Sequence, residues 1–567
     1  MKALDWVVMF GWLTFLVSYG LWRGRKSGTV NDYLLAGRTM PWYAMGLSIM
    51  ATQASAITFI STTGQAYVDG MRFVQFYFGL PIAMVILSAT AVPIFHRAKV
   101  YTAYEYLENR FDAKTRALVS GIFLIQRGLA AGLALYAPAV VLSVILGWSD
   151  RTTTILMGSL VVLYTTTGGI KAITWADVQQ MAVIFVALIL ALFMAIHLMP
   201  QQVSFLDAVT LAGAFGKLKT VDTHFDWNSR YNLWSGLIGG MFLALAYFGC
   251  DQSQVQRYLT GKSIAQSRLS LLFNAMAKIP MQFFILFIGA MVFVLFMFVK
   301  PPVVFHPVEM GRIAQSTEYK PVEDRYNAAF EARKQAAQHY LDAKHRGTTS
   351  PADLEELQST QTAFDAARQD GAKLVDKARG STGFNDTNYI FLSFVTNYLP
   401  AGVVGLIIAV IFSAAMSAVS GEINSLATVT VIDVYKRHFR KSATDRHYLW
   451  ASRIATAFWG VYAVIFAGRG GGFGALIEAV NMIGSLFYGG MLGVFVLAFF
   501  FPKVGANGAF AGVIAGEAAI FAANRFTSIS FLWYNVIGCL VVLMTGVLVS
   551  KFETIKYSNG GHDQTAS

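Results

Sequence analysis

Apolar runs of about twenty residues recur along nearly the whole chain, and each is long enough to cross the hydrocarbon core of a bilayer. In lipid a segment must satisfy its own backbone hydrogen bonds, so runs of this kind read as transmembrane helices. Their starts near residues 4, 42, 72, 117, 152, 175, 232, 270, 401, 449, 473, 506 and 529 predict an all-α, polytopic membrane protein with about 13 spans. Composition agrees: 13% of the 567 residues are charged, against about 25% in a soluble domain. The run from Leu4 to Trp22, followed by Arg23, Arg25 and Lys26, is too long for a cleavable signal and reads as a retained first span. Cys250 and Cys539 fall in or beside spans, so no disulfide framework is expected.

The net charge of +12 sits in short loops, which points to membrane orientation rather than nucleic acid. One alternate set of loops holds Arg23, Arg25, Lys26 and Arg38, then Arg97, Lys99, Arg110, Lys114 and Arg116, then Arg257, Lys262 and Arg268, then Lys436, Arg437, Arg440, Lys441 and Arg446. In the opposite set Arg72, Arg151, Arg469 and Arg525 stand nearly alone. The bias places the N-terminus outside and the C-terminus in the cytoplasm of a cell membrane, plasma or bacterial inner. From about Lys300 to Gly383 the chain is polar, and reads as an outer helical hairpin whose second helix starts at Ser350-Pro351. Its role is open between a passive insertion and a lid or partner-binding arm.

Polar residues inside the spans carry the functional reading, because they are costly there unless paired or lining a cavity. The second span, from Ser48 to Gly64, is poor in Leu and rich in small and hydroxyl residues. That composition fits a helix broken in mid-membrane whose freed carbonyls coordinate a cation, or alternatively tight helix packing. Ser413, Ser417, Ser420 and Asn424 share one helical face. Their hard oxygens suit a monovalent cation. Asp177 stands at the start of an apolar run, as a helix-end carboxylate or a cation ligand near the inner mouth. Arg127 and Lys278 lie inside spans, and read as structural or as anchors for a substrate anion.

No phosphate-binding G-x-x-x-x-G-K-[ST] run occurs, so an ion gradient is the expected energy source. His96 and His197 are isolated and no H-E-x-x-H occurs, so an enzyme is not expected, and neither is any cofactor. A channel filter repeat is absent, and the stretch after Lys551 is short for a sensor's signalling domain. These two classes, channel and membrane-embedded sensor, remain the rivals to a carrier.

The chain resembles the sodium/solute symporter family, which has a LeuT-like fold. The resemblance rests on Asn31-Asp32-Tyr33-Leu34-Leu35-Ala36-Gly37-Arg38, the Ser48–Gly64 stretch, Tyr104-Glu105-Tyr106-Leu107-Glu108-Asn109-Arg110-Phe111, the Gly168–Asp177 run, Asp251-Gln252 with Gln256-Arg257, and Asn424-Ser425 leading to Ile432-Asp433-Val434-Tyr435-Lys436. It implies two inverted five-helix repeats. The chain then divides into 1–41, an extra helix and cytoplasmic loop; 42–200, the first repeat; 201–300, the first part of the second; 301–383, the outer insertion; 384–500, the remainder of the second; and 501–567, C-terminal helices and tail.

The resemblance further implies a main sodium site at Ala51, Ala54, Ala414, Ser417 and Ala418, with Ala418 where many relatives carry a hydroxyl. It implies a second sodium site or exit path at Asp177, Ser420 and Gly421, with Gly421 again in place of a hydroxyl. Substrate-binding candidates are Thr58, Gln75, Tyr77, Arg127, Tyr247, Phe248, Lys278 and Asn481. Thr58, Tyr77 and Ala244 depart from the sugar-carrying pattern, which favours an organic anion such as a carboxylate or acidic sugar over a sugar or polyol. The expected partners are sodium, a small solute and the lipid bilayer, with no protein partner required.

Overall fold

The computed structural model describes residues 1–24, 28–468 and 476–560. The first helix, α1 (Ala3–Gly24), is followed by α2 (Trp42–Gln53) and α3 (Thr58–Asp69), which meet at a bend of 58°. Then come α4 (Met71–Ala98), α5 (Ala113–Leu146) and α6 (Asp150–His197). After them stand α7 (Ser235–Gly249), α8 (Gln252–Leu259) and α9 (Ile264–Phe298). A polar hairpin is made by α10 (Tyr319–Arg346) and α11 (Pro351–Arg379). The chain continues as α12 (Val403–Phe439), α13 (Asp445–Ala467), α14 (Leu476–Phe500), α15 (Ala506–Phe526) and α16 (Leu532–Gly560).

Among the described residues, ten helices are long and apolar enough to cross a membrane, and the bent α2–α3 pair makes eleven. The count of about 13 expected from the sequence differs at two places. The expected spans at 152 and 175 are the two helices of α6, which meet at non-helical Gly169 (φ 64°, ψ 173°), and of these only Gly169–His197 is counted among the ten. A side chain at Gly169 would meet the Tyr33 ring at 2.9 Å, and the left-handed φ favours glycine. The expected span at 232 is α7, short because it is interrupted at Cys250-Asp251 before α8 resumes. The run read from 473 begins as helix at Leu476, and Arg25, Lys26 and Arg469 lie outside the described residues.

The break between α2 and α3 uses neither Gly nor Pro. Ala54 leaves helical geometry (φ −89°, ψ 50°), and α3 restarts as a wide π turn over Thr58–Thr62. The Thr58 hydroxyl donates to the Gln53 carbonyl at 2.7 Å, satisfying a carbonyl that α2 has orphaned. A π turn, Ser235–Gly239, likewise opens α7. Two interrupted helices, α2–α3 and α7–α8, thus head successive groups of spans, as inverted repeats place them.

Exposure separates centre from rim. In α13, Trp450, Ile454, Phe458, Val461 and Ile465 are exposed at helical spacing, as a lipid-facing stripe would be. In α12, every residue from Ile407 to Val429 is buried, polar ones included. The stripe of Ser413, Ser417, Ser420 and Asn424 therefore faces protein.

Two ends of the bundle are distinct. At one, Arg38 donates to the Val100 carbonyl, Gln252 accepts from the Ala103 amide, and Gln256 donates to the Leu34 carbonyl. Arg116 bridges Glu108 and Asp433 there at 2.6 Å each, and Arg437 reaches Glu108 at 2.5 Å. The four basic loops thus gather on one face. At the other end, Arg72 faces Asp222, Arg230 pairs with Glu478, and His345 of α10 pairs with Asp207. The hairpin belongs to this second face. Ser350 caps α11 through a reciprocal capping box with Asp353, and Pro351 opens the helix. Arg333 is fully buried, lies 3.5 Å from the Phe364 ring centroid, and donates to the Phe296 carbonyl at the end of α9. The hairpin is therefore bolted to the bundle, not tethered loosely.

Candidate functional site

A cavity opens beside the α2–α3 break. The break contributes Thr52, Gln53, Ser55 and Thr58, α4 contributes Phe76 and Tyr77, and α5 contributes Gln126 and Arg127. From the second group of spans come Ala244, Tyr247 and Phe248 of α7, Ala418 and Glu422 of α12, and Asn481 and Tyr488 of α14. Of the residues proposed from sequence to meet substrate, Thr58, Tyr77, Arg127, Tyr247, Phe248 and Asn481 line this one space. Gln75 does not. Its amide donates to the Tyr231 carbonyl and accepts from the Asp222 amide, so it ties loops together.

Lys278 stands behind the lining. It is fully buried on α9, donates to the Gln53 carbonyl at 3.3 Å, and sits 4.9 Å from the Tyr77 ring centroid. Among the described residues no carboxylate is within salt-bridge reach of its amine. Arg127 is different. It pairs with Glu422 at 2.9 Å and with Asp251, and donates to the Tyr488 hydroxyl at 2.5 Å. Its charge is already met by two carboxylates, the structural alternative of the two read from the sequence. Much of its work is to hold α5, α7–α8, α12 and α14 together.

Three helices converge on Asp177 of α6. Ser48 of α2 donates to it at 2.5 Å, and Ser417 of α12 donates to its other oxygen. Ala51 lies about one turn beyond Ser48, and Ala414 about one turn before Ser417, so this junction brings the expected sodium-binding stretches of α2 and α12 side by side. Ala418 lines the same cavity as Thr52 and Ser55. Ala54 is where α2 lets go of its helix, leaving carbonyls without helical partners.

The expected second sodium site is occupied by a side chain the sequence reading passed over. Arg257 of α8 contacts Asp177 at 2.7 Å and also donates to Ser48. A side chain at 421 would overlap the Arg257 guanidinium, so Gly421 is the opening through which that arginine reaches Asp177. Ser420 donates to the Ser417 carbonyl of its own helix rather than to Asp177. Asp177 is therefore a buried ion-pair partner of Arg257. Asp251, Glu422, Tyr488 and Arg257 were all missed as a network, although the charge at 422 inside an apolar run was a visible signal.

With the geometry in place, comparison with known proteins is informative. The family model of the sodium:solute symporter family matches residues 33–322 and 372–516. The unmatched gap falls on the α10–α11 hairpin. Sodium-coupled monocarboxylate transporter 1 of Xenopus laevis is 27% identical over 510 residues, 88% of this chain and 68% of that protein. The sodium/sialic acid symporter of Proteus mirabilis is 25% identical over 558 residues, 96% and 95% of the two chains. The sodium/glucose cotransporter of Vibrio parahaemolyticus is 26% identical over 532 residues, 91% and 84%. A solved outward-open, substrate-bound Na+-coupled sialic acid symporter superimposes with a TM-score of 0.74 at 24% identity, covering 97% of this chain and 98% of its own.

Proposed function

We propose that this chain, which belongs to the sodium:solute symporter family, imports a small organic anion together with sodium by alternating access. Lys278 carries the anion reading: a fully buried amine with one carbonyl partner, one side chain behind a cavity lined by Tyr77 and Gln53. Relatives named for monocarboxylates and sialic acid are consistent with it. A sugar or polyol fits less well, because the Thr58 hydroxyl and Asn481 amide already donate to backbone carbonyls. Fewer donors are left for sugar hydroxyls.

Sodium enters from outside and binds between the α2 carbonyls of Ala51 and Ala54 and the α12 face of Ala414, Ser417 and Ala418. Bridging these two helices favours one arrangement of the bundle, and solute binds where that arrangement completes the cavity. Coupling follows if each ligand prefers the state the other stabilises. The face carrying the basic loops is the cytoplasmic one. The N-terminus and the α10–α11 hairpin then lie outside, and the C-terminus inside. No cofactor and no protein partner enters this scheme.

The test is uptake into proteoliposomes. Carboxylates are first screened by thermal shift with and without sodium, and a hit stabilised only with sodium is used as the labelled solute. Uptake should saturate and rise with external sodium. Unchanged uptake when choline replaces sodium at constant membrane potential overturns the coupling. Ser417→Ala should raise the half-saturating sodium concentration about tenfold, the loss of one interaction worth ~1–1.5 kcal/mol. An unaltered sodium dependence removes Ser417 from the site.

A further inference from the structure

We infer that the end of the cavity at Glu422 is a second monovalent-cation site, distinct from the sodium site between α2 and α12. Two oxygens point to it. Glu422 Oε1 accepts from Arg127, while Oε2 is buried, faces the cavity lining and has no hydrogen-bond partner among the described residues. The residue as a whole is 7% exposed. Gln126 Oε1, from the facing helix α5, lines the same cavity and is likewise buried without a partner. A carboxylate oxygen held away from water with no donor is expensive, and a cation between these two oxygens relieves that cost.

Charge points the same way. Arg127 faces both Asp251 and Glu422, and Arg257, which pairs with Asp177, also acts on Glu422, so two guanidiniums are set against three carboxylates. The place where the family resemblance put a second sodium is closed, because Arg257 fills the space between Asp177 and Gly421. The unspent carboxylate oxygen on α12 stands instead at Glu422, one turn after Ala418 and on the cavity side. Hard, mostly neutral oxygens around a single carboxylate suit a monovalent ion rather than a divalent one. Two sources of that chemistry exist: a sodium ion, or an ammonium group carried by the solute itself. In the second case the solute is zwitterionic, its anionic end toward Lys278. The inference rests on the cavity being the solute path.

The experiment compares purified full-length wild type, Glu422→Gln, Glu422→Asp and Ser417→Ala. Gln at 422 retains an oxygen for Arg127, and Asp retains the charge. Equilibrium binding of radioactive sodium is measured without organic solute, and melting is then followed with methylammonium chloride in constant sodium. If sodium is the occupant, wild type and Glu422→Asp bind two ions per chain and Glu422→Gln binds one. If the solute's ammonium is the occupant, sodium counts are equal, and methylammonium raises the melting temperature of wild type but not of Glu422→Gln. Equal sodium counts together with equal methylammonium shifts overturn the inference. An unshifted half-saturating sodium concentration in Ser417→Ala overturns the main-site reading instead, whatever the outcome at Glu422.

Discussion

Arg257→Leu is expected to destabilise the protein by about 3–5 kcal/mol, and Asp177→Asn added to it is expected to recover most of that loss. The reasoning is one of burial. Asp177 and Arg257 are 0% and 1% exposed, and each is the other's ionic partner. Removing the guanidinium strands a carboxylate among Ser48 and Ser417, whose hydroxyls soften the penalty without neutralising the charge. Removing both charges leaves neutral polar groups that can pair with those same hydroxyls. Thermal unfolding of detergent-solubilised single and double variants reads this as a cycle. A single-variant loss below about 1 kcal/mol would mean the pair is solvated and does not join α6 to α8. Uptake is expected to fall in both variants, since the pair also fixes where α2 and α12 meet.

The crossings were legible because lipid imposes a length and a composition that no tertiary context overrides. The break in α2–α3 was legible for a related reason: Ser48 to Gly64 has no Leu and is dominated by small and hydroxyl residues. The corresponding break at Cys250-Asp251 was not, because α7 is apolar to its last turn and only the structure shows its ladder ending there. The break at Gly169 was legible from its glycine pair: two spans were placed around it, and one residue of non-helical backbone there separates the two helices of α6.

At the site, single residues were legible and partnerships were not. Helical spacing placed Ser413, Ser417, Ser420 and Asn424 on one face, and that face is buried. Spacing along one helix says nothing about which arginine, far off in the chain, arrives opposite. Arg127 looked available for substrate because Asp251 lies 124 positions away and Glu422 lies 295 away. Gly421 looked like a lost ligand, when its missing side chain is what admits Arg257. Family resemblance carried the positions across but not the consequence of these departures.

Lys278→Met separates stability from transport more sharply than any other change in the cavity. The amine is fully buried with one hydrogen bond, to the Gln53 carbonyl, and that carbonyl keeps the Thr58 hydroxyl at 2.7 Å when the amine is gone. Met is a close match to the lysine stem and needs no desolvated charge, so the variant should melt at or above the wild-type temperature. Transport should move the other way. A buried cation that pairs only with solute contributes its energy only in the loaded state, and truncating one partner of such a pair costs about 2–5 kcal/mol. Uptake of a carboxylate at subsaturating concentration should therefore fall by about two powers of ten or more. Lys278→Arg is not expected to rescue it, because a planar fork does not fit where a compact ammonium sits 4.9 Å from the Tyr77 ring centroid. Uptake that survives Lys278→Met would remove the anion anchor, and with it the preference for an anionic solute, while leaving sodium coupling through α2 and α12 untouched. A fall in melting temperature with unchanged uptake would assign the amine to holding the end of α2 instead.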